Sequence, residues 1–275
     1  MACEITTSFS PEHFELAKLW ARGLQTFWPD HPPVRIMSDG RVTDDQMREV
    51  ADLCGGYFVS DSVCRAILRA KLPSDIVRLS EEVFWVRSLF QQYLGGVSET
   101  LIVDDVDGLF LRRPETWIAA LEEFPDACIS VYVPLLFIKK ARALWAQVKP
   151  DLISLRREPT PIVGTHSAPR SLIADQVPLC VEYLRLWKEN REGEHPASGA
   201  VCHMGLWQGL AGAHDPRVQL SPAKYQVDFL RLQLRPELYH SCSEKYIKWF
   251  WETFLVGYAR HLDDPQDISE EAWWL

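Results

Sequence analysis

The most informative stretch of the sequence is LIVDDVDGLFLRRPE, residues 101–115, which sets three aspartates within four positions directly after an apolar run. A short run of this kind is typical of a strand that is buried on both faces of a sheet. Asp104, Asp105 and Asp107 then stand at the carboxyl end of that strand. Because ligands bind beyond the carboxyl ends of parallel strands, the stretch predicts an acidic binding site.

The residues before this stretch alternate between strand and helix patterns. The second helix pattern begins with a Ser-x-Glu capping sequence and ends at two glycines. Alternation of this kind produces crossover connections and a largely parallel sheet. We therefore expect an α/β fold with a mixed, mostly parallel central sheet flanked by helices. Strands are predicted at residues 3–9, 33–40 and 57–60, and helices at 11–28 and 80–94.

The second half of the chain is less regular. Its patterns predict a strand at residues 126–137, a proline-rich loop at 156–171, a helix from Pro178 onward, and a strongly apolar helix at 244–262. Neither a fixed-period repeat nor a linker interrupts the chain. Residues 1–275 are therefore expected to form a single domain.

Composition and charge exclude several classes of protein. The net charge of −9, without a basic stripe, argues against a nucleic-acid partner, because phosphate contacts need clustered lysine and arginine. The seven cysteines are scattered and never form a Cys-x-x-Cys pair, which is typical of reduced thiols. The N-terminal residues lack a signal-peptide pattern, and no run approaches the roughly 20 apolar residues of a membrane span. We expect a soluble, cytoplasmic protein.

The acidic stretch is compatible with three interpretations. In the D-x-D-G sequences of haloacid-dehalogenase-type phosphatases, the first aspartate, here Asp105, is a nucleophile. Such phosphatases carry the motif near the start of their domain and add a later acidic cluster, for which Asp263 and Asp264 are the candidate pair here. Aspartates also occupy solvated turns after strands without any catalytic role. The third interpretation, a divalent metal site, gains support from the surrounding sequence.

The extended phrase resembles the metal-binding strand end of GT-A glycosyltransferases, in which an apolar strand runs into D-x-D and is followed by apolar residues and often by FLRRP. The register is Asp105-Val106-Asp107. The resemblance implies a GT-A fold, with Asp105 and Asp107 holding a metal that neutralises the diphosphate of a nucleotide sugar. Asp104 would end the strand and orient a neighbour or the ribose.

Two further stretches resemble glycosyltransferase family 8, the retaining branch of that fold. FWVRSLFQQYL, residues 84–94, resembles the helix whose arginine lies near the donor in that family, which implies this place for Arg87. ITTSFSPEHFELAKLWARGL, residues 5–24, resembles the opening strand and helix. This second likeness implies that Thr6 and Thr7 face the nucleoside.

A late stretch, LQLRPELYHSCSEK at residues 232–245, resembles the His-x-x-x-x-Lys element of the same family. The likeness implies that His240 completes the metal site and that Lys245 meets the diphosphate. The sequence departs from the family after the histidine, where Ser-Cys-Ser at residues 241–243 replaces the usual aromatic residue and glycine.

The resemblance implies a metal-dependent hexosyltransferase that uses Mn²⁺ or Mg²⁺ and a nucleotide-diphosphate sugar, with UDP-sugar the expected donor, and retains the anomeric configuration. The acceptor is not encoded in any motif. Residues 1–115 would form the nucleotide-binding half, and residues 116–275 the acceptor side with a C-terminal helix. Asp175 is a candidate for touching the sugar, and a helix N-cap is the alternative for this residue.

Two alternatives concern the chain as a whole. A degenerate transferase fold that serves as an interaction module would keep the architecture without binding either ligand. The aromatic segment at residues 246–259 could dock on a membrane surface, although packing on the core is favoured because Lys245, Lys248 and Arg260 make too small a basic face.

Overall fold

A computed structural model describes residues 3–126, 128–132, 165–189, 229–233, 238–240, 248 and 250–265. Within these residues the strands are β1 (Cys3–Phe9), β2 (Val34–Ser38), β3 (Tyr57–Val59), β4 (Thr100–Asp104), β5 (Gly108–Phe110), β6 (Cys128–Tyr132), β7 (Thr165–Pro169), β8 (Phe229–Gln233) and β9 (Leu238–His240). The helices are α1 (Phe14–Phe27), α2 (Asp44–Leu53), α3 (Asp61–Lys71), α4 (Ser74–Glu82), α5 (Phe84–Leu94), α6 (Glu115–Glu123), α7 (Arg170–Glu189) and α8 (Leu255–Asp263). A 3₁₀ turn (Pro11–His13) precedes α1, and a π-helical segment (Phe250–Phe254) leads into α8.

In the described part of the chain, the central sheet has seven strands in the order β3-β2-β1-β4-β7-β6-β8. Strands β1 to β4 are mutually parallel, β7 runs antiparallel to both of its neighbours, and β8 is parallel to β6. All strands of this sheet except β7 therefore point the same way. The predicted fold class is confirmed: this is an α/β protein with a mixed, mostly parallel sheet flanked by helices.

Helices cover both faces of the sheet. Because side chains alternate along a strand, Ile5 and Phe9 of β1 lie on one face, where they join a core with α1, α2, α6 and α8. On the opposite face, Leu101 and Val103 of β4 pack with α3, α4, α5 and α7. Strands β1, β2 and β4 are buried on both sides, which explains the continuous apolar run of β4.

The helix predicted at residues 80–94 is in fact two helices. Residue Val83 has an extended backbone (φ −122°, ψ 101°) and separates α4 from α5. Helix α4 already begins at Ser74, so Ser80 lies in its interior and donates its hydroxyl to the Val77 carbonyl (2.6 Å) instead of capping a new helix. The predicted cap was wrong because a serine can bond backward within a helix as well as forward at its start.

The loop predicted at residues 156–171 was also partly wrong. Its last part forms β7, which pairs with β4 on one side and β6 on the other. Helix α7 then begins at Arg170, and Pro178 lies inside it. Proline removes a helical hydrogen bond, but the burial of Ile173, Cys180 and Leu184 against the core favours the longer helix.

The C-terminal aromatic segment is helical where it is described, as predicted. Phe254, Leu255, Tyr258 and Leu262 pack into the core beside α1, which is the favoured alternative to membrane docking. No helix among those described combines the length and apolar character needed to cross a bilayer. The cysteines that the structure describes with their side chains carry free thiols, namely Cys3, Cys54, Cys64 and Cys180.

Candidate functional site

The carboxyl ends of β1 to β4 meet along one edge of the sheet, and acidic residues follow three of them. Asp39 comes directly after β2, Asp61 begins α3 after β3, and Asp105 comes directly after β4. The reversed strand β7 starts at the same edge, because Thr165 pairs with Asp104. The edge predicted to bind a ligand is therefore the place where the topology gathers charged side chains.

Asp105 and Asp107 belong to a tight turn that leads from β4 into β5. The Gly108 amide donates to the Asp105 carbonyl (2.8 Å), which closes a four-residue turn. Aspartate at the first position and glycine at the fourth are the residues that such turns prefer. Asp105 is half-buried and Asp107 is only 3% exposed. Two carboxylates are thus held at the strand end with little access to bulk water.

Asp104 differs from the other two aspartates. It is fully buried on the face that packs against α1, and its Oδ2 accepts a hydrogen bond from Trp20 Nε1 (2.7 Å). The carboxylate therefore ties the end of β4 to α1. Contact with a ribose stays a prediction for this residue.

His240 comes to the acidic turn from the far end of the sequence. Strand β9 pairs antiparallel with β5, and His240 is directly opposite Gly108. Opposed residues of an antiparallel pair have Cα atoms about 5 Å apart. The backbone of His240 therefore lies beside the residue that follows Asp107. Lys245 lies outside the described residues.

Among the side chains that the structure describes, no group of three histidine, cysteine or carboxylate residues is arranged to hold a metal. The backbone register of β9 is what brings His240 beside Asp105 and Asp107. Two carboxylates and one imidazole form a donor set of the kind that Mn²⁺ accepts, and carboxylate oxygens also suit Mg²⁺. The residue types at this turn therefore fit a divalent cation.

Arg87 lies at the same edge, on the first turn of α5. It is 4% exposed, its Nη2 donates to Asp61 Oδ1, and its Nε donates to Gln91 Oε1 (3.4 Å). Partial burial by itself would raise the pKa of Asp61, but hydrogen bonds from Arg87 and Arg65 lower this pKa below its ordinary value. The guanidinium therefore sits beside a carboxylate that stays ionised at neutral pH.

The space beside Arg87 exists because residue 40 is glycine. Gly40 follows Asp39 in the turn after β2 and has φ +86°, a conformation that side chains rarely adopt. A Cβ at this position would collide with Arg87 Nη1 and lie 2.9 Å from Cζ. Two strand spacings, about 10 Å, separate the ends of β2 and β4, so Arg87 and the acidic turn could contact one extended ligand.

Thr6 and Thr7 are not brought to the acidic turn. Both lie inside β1, both are completely buried, and as neighbours in a strand they face opposite sides of the sheet. Neither Oγ1 has a hydrogen-bond partner among the described residues. Their predicted contact with a nucleoside stays a prediction.

Asp175 lies in the second turn of α7. The alternative that it caps this helix was wrong, because α7 starts at Arg170, where the backbone amide donates to Glu99 (2.7 Å). The sequence around Asp175 does not reveal this helix start, because the start depends on the hydrogen bond to Glu99, which lies in the turn before β4. A contact between Asp175 and the sugar stays a prediction.

Sequence reasoning missed Asp61, although the signal was present. Asp61 stands directly after a predicted strand, as Asp105 does. Asp39 has the same position after β2, but its carboxylate is used locally: Oδ1 accepts from the amides of Arg41 (2.7 Å) and Val42 (2.8 Å). The position after a strand thus identifies candidate ligand-binding residues. Their hydrogen bonds then show whether a carboxylate is instead used within its own turn.

No protein-family model and no curated protein matches the chain. Similar solved structures include glucosyl-3-phosphoglycerate synthase from Mycobacterium tuberculosis in complex with Mn²⁺, UDP and glucosyl-3-phosphoglycerate. The match has 14% sequence identity and a TM-score of 0.45, and it covers 95% of this chain and 77% of that chain. Another structure of that synthase covers 95% of this chain and 80% of its own, also at 14% identity and a TM-score of 0.45. A structure described as a mycobacterial protein has 11% identity, coverage of 78% and 76%, and a TM-score of 0.41. Similarities this distant establish neither family nor activity.

Proposed function

We propose that this protein is a metal-dependent glycosyltransferase that moves a sugar from a nucleotide-diphosphate sugar, with a UDP-sugar as the donor, to an acceptor. The observation that carries the proposal is the pairing of β9 with β5. It brings His240 beside the turn of Asp105 and Asp107 at the ligand-binding edge of the sheet.

Asp105, Asp107 and His240 would hold Mn²⁺ or Mg²⁺. When bound, such a cation supplies positive charge that offsets the charge developing on a diphosphate leaving group. Asp107 is almost completely enclosed, and a bound cation would neutralise part of the negative charge of the two carboxylates on this turn.

Arg87 and Lys245 would bind the diphosphate from the side of the protein. A hydrogen bond to a charged group contributes about 1.5–3 kcal/mol. Each contact that strengthens as the leaving group gains charge therefore speeds the reaction about tenfold or more, because about 1.4 kcal/mol corresponds to a factor of ten. Residues 1–115 would serve as the nucleotide-binding half in this scheme.

The sugar would pass through an oxocarbenium-like transition state, as in glycoside hydrolysis. For retention, the acceptor attacks from the face that the diphosphate leaves, so no strong enzymic base is needed. Asp175 would contact the sugar, Thr6 and Thr7 would lie near the nucleoside, and Asp104 would orient the strand end and the ribose. Residues 116–275 would form the acceptor side.

No observation favours a phosphatase. The later acidic pair that such an enzyme would need is at the end of α8, where Asp263 forms an ion pair with Arg22 of α1 (2.5 Å). The D-x-D-G sequence follows the fourth strand of the chain and continues into β5. Hydrolysis of p-nitrophenyl phosphate that is lost on Asp105→Asn would contradict the transferase proposal.

Thermal shifts with UDP, GDP and inorganic phosphate, each with and without Mn²⁺, test the proposed function. We expect stabilisation by UDP that requires Mn²⁺, since a ligand at a hundred times its Kd stabilises by about 2.7 kcal/mol. Phosphate alone is the control for nonspecific anion binding. If no nucleotide shifts the melting temperature, the proposal is wrong and an interaction module becomes the better explanation. A nucleotide shift that is independent of metal would contradict the metal-dependent mechanism.

A further inference from the structure

An ion-pair network joins α3, α4 and α5 next to the candidate site. Asp61 accepts from Arg87 through Oδ1 and from Arg65 Nε through Oδ2 (2.8 Å). Glu81 accepts from Arg65 and Arg69, each at 3.3 Å. Two carboxylates are therefore shared by three guanidinium groups. The network carries a net positive charge that suits an anionic neighbour.

Within this network the guanidinium of Arg87 reaches the turn after β2, at the strand ends. Its Nη2 and Nε have acceptors in Asp61 and Gln91, whereas no acceptor for its Nη1 is found among the described residues. Nη1 instead lies against Gly40, at the turn that follows β2. A guanidinium nitrogen without a protein acceptor at this edge is available to an anionic ligand.

Arg87 needs a fixed partner to keep this orientation. An arginine side chain has many rotamers, and its free movement would weaken a directed contact. Glu81, which already accepts from the neighbouring Arg65, offers a competing carboxylate in the same network. Asp61 is placed to prevent Arg87 from turning to Glu81, because it begins α3 with only one residue between it and the end of β3, and its position is set by the sheet.

We propose that Asp61 is a positioning residue that fixes Arg87 so that Nη1 can bind the diphosphate of the donor. This inference rests on the proposed function and adds a residue to it. Asp61 itself does not contact the ligand. Its effect on diphosphate binding is transmitted through Arg87 alone, whereas Arg65 on its other oxygen serves the structure of α3.

Removal of the Asp61 charge has two opposite effects on the affinity for UDP. The variant Asp61→Asn raises the local positive charge, which by itself favours an anion. Water and salt screen this effect at the sheet edge, whereas a hydrogen bond to a charged group depends strongly on orientation. Asparagine also leaves a single acceptor oxygen for two arginines and lacks the charge that holds Arg87, so we expect Asp61→Asn to bind UDP about tenfold more weakly in the presence of Mn²⁺.

The experiment is a double-mutant cycle measured by calorimetry with UDP and Mn²⁺. It compares the unmodified protein, Asp61→Asn, Arg87→Gln and the double variant. If Asp61 acts only through Arg87, its substitution has no further effect once Arg87 is glutamine. Uridine, which lacks phosphates, should bind the unmodified protein and Asp61→Asn equally well.

Arg65→Gln is the matched control, because it breaks the other ion pair of the same carboxylate and should leave UDP affinity within about twofold. Unchanged or tighter UDP binding by Asp61→Asn overturns the positioning role, as does a loss that adds to that of Arg87→Gln. Absence of UDP binding to the unmodified protein overturns the proposed function, and this inference with it.

Discussion

At the scale of single residues, the three aspartates of the acidic stretch are chemically identical but have different surroundings. Asp104 is enclosed and accepts from Trp20, whereas Asp105 and Asp107 belong to the turn. Successive strand residues alternate between faces, so Asp104 belongs to the core beside α1. The hydrogen bond from Trp20 and the position within the strand therefore distinguish an anchoring carboxylate from two candidate metal ligands.

The pair of variants Asp104→Asn and Asp107→Asn tests this separation. We expect Asp107→Asn to lower Mn²⁺ affinity at least about tenfold, because a neutral amide is a poorer ligand for a hard cation. Asp104→Asn should leave Mn²⁺ affinity within about threefold, since its side-chain oxygen can still accept from Trp20. Calorimetric titration with Mn²⁺ measures both, and equal losses would show that all three aspartates serve the metal.

At the scale of elements, α8 is held on α1 and β5 by a close approach at Gly23. The Tyr258 hydroxyl passes this glycine and donates to the Phe110 carbonyl (2.8 Å), and a Cβ on Gly23 would collide with it. Burial raises the pKa of Tyr258, so the group remains a neutral donor. One small residue in the interior of α1 thus permits a bond between two distant elements.

Gly23→Ala should therefore destabilise the protein, by about 1–3 kcal/mol, through overpacking and loss of the bond to Phe110. In a Tyr258→Phe background the cost of the same change should fall below about 1 kcal/mol, since the colliding hydroxyl is absent and alanine is the better helix former. Without the hydroxyl, the nearest remaining atom, Cζ, is 3.2 Å from the new Cβ. Urea unfolding of the four proteins gives the free energies, and equal costs in both backgrounds would contradict the proposed collision.

At the scale of the whole molecule, a buried ion pair connects the sheet to the loop that leads into β4. Arg35 Nη1 lies 3.6 Å from Glu4 Oε2, and both side chains are 2% exposed. Glu4 accepts from the amides of Val97 and Ser98, and Arg35 donates to the carbonyls of Gly95 and Gln92. Burial lowers the pKa of Arg35, although Glu4 opposes the shift. These bonds hold β4, and hence the acidic turn, in place from the opposite edge of the sheet.

Glu4→Gln should cost about 3–5 kcal/mol of unfolding free energy, because it leaves Arg35 as a buried charge without its counter-ion. The control is Arg113→Gln, which breaks a surface pair with Asp30 and should have a much smaller effect on the unfolding free energy. Chemical denaturation measures both. Similar costs for the two variants would mean that the buried pair contributes no more than a surface pair.

The local sequence was sufficient for β1 to β4 and for the acidic strand end. Apolar runs of strand length and the alternation with helices predicted these elements because burial on both faces leaves a direct pattern in the residues. The prediction of a single helix at residues 80–94 and of a helix start at Pro178 failed where tertiary packing outweighed local signals.

By itself, the sequence determined the fold class and nominated the residues of the acidic turn, because hydrophobic periodicity and turn chemistry are local properties. Only the tertiary structure decided which residues meet there. The pairing of β9 with β5 and the ion pair of Asp61 with Arg87 join segments that are far apart in the chain. Such contacts depend on how layers of the molecule pack, and no short stretch of sequence contains that information.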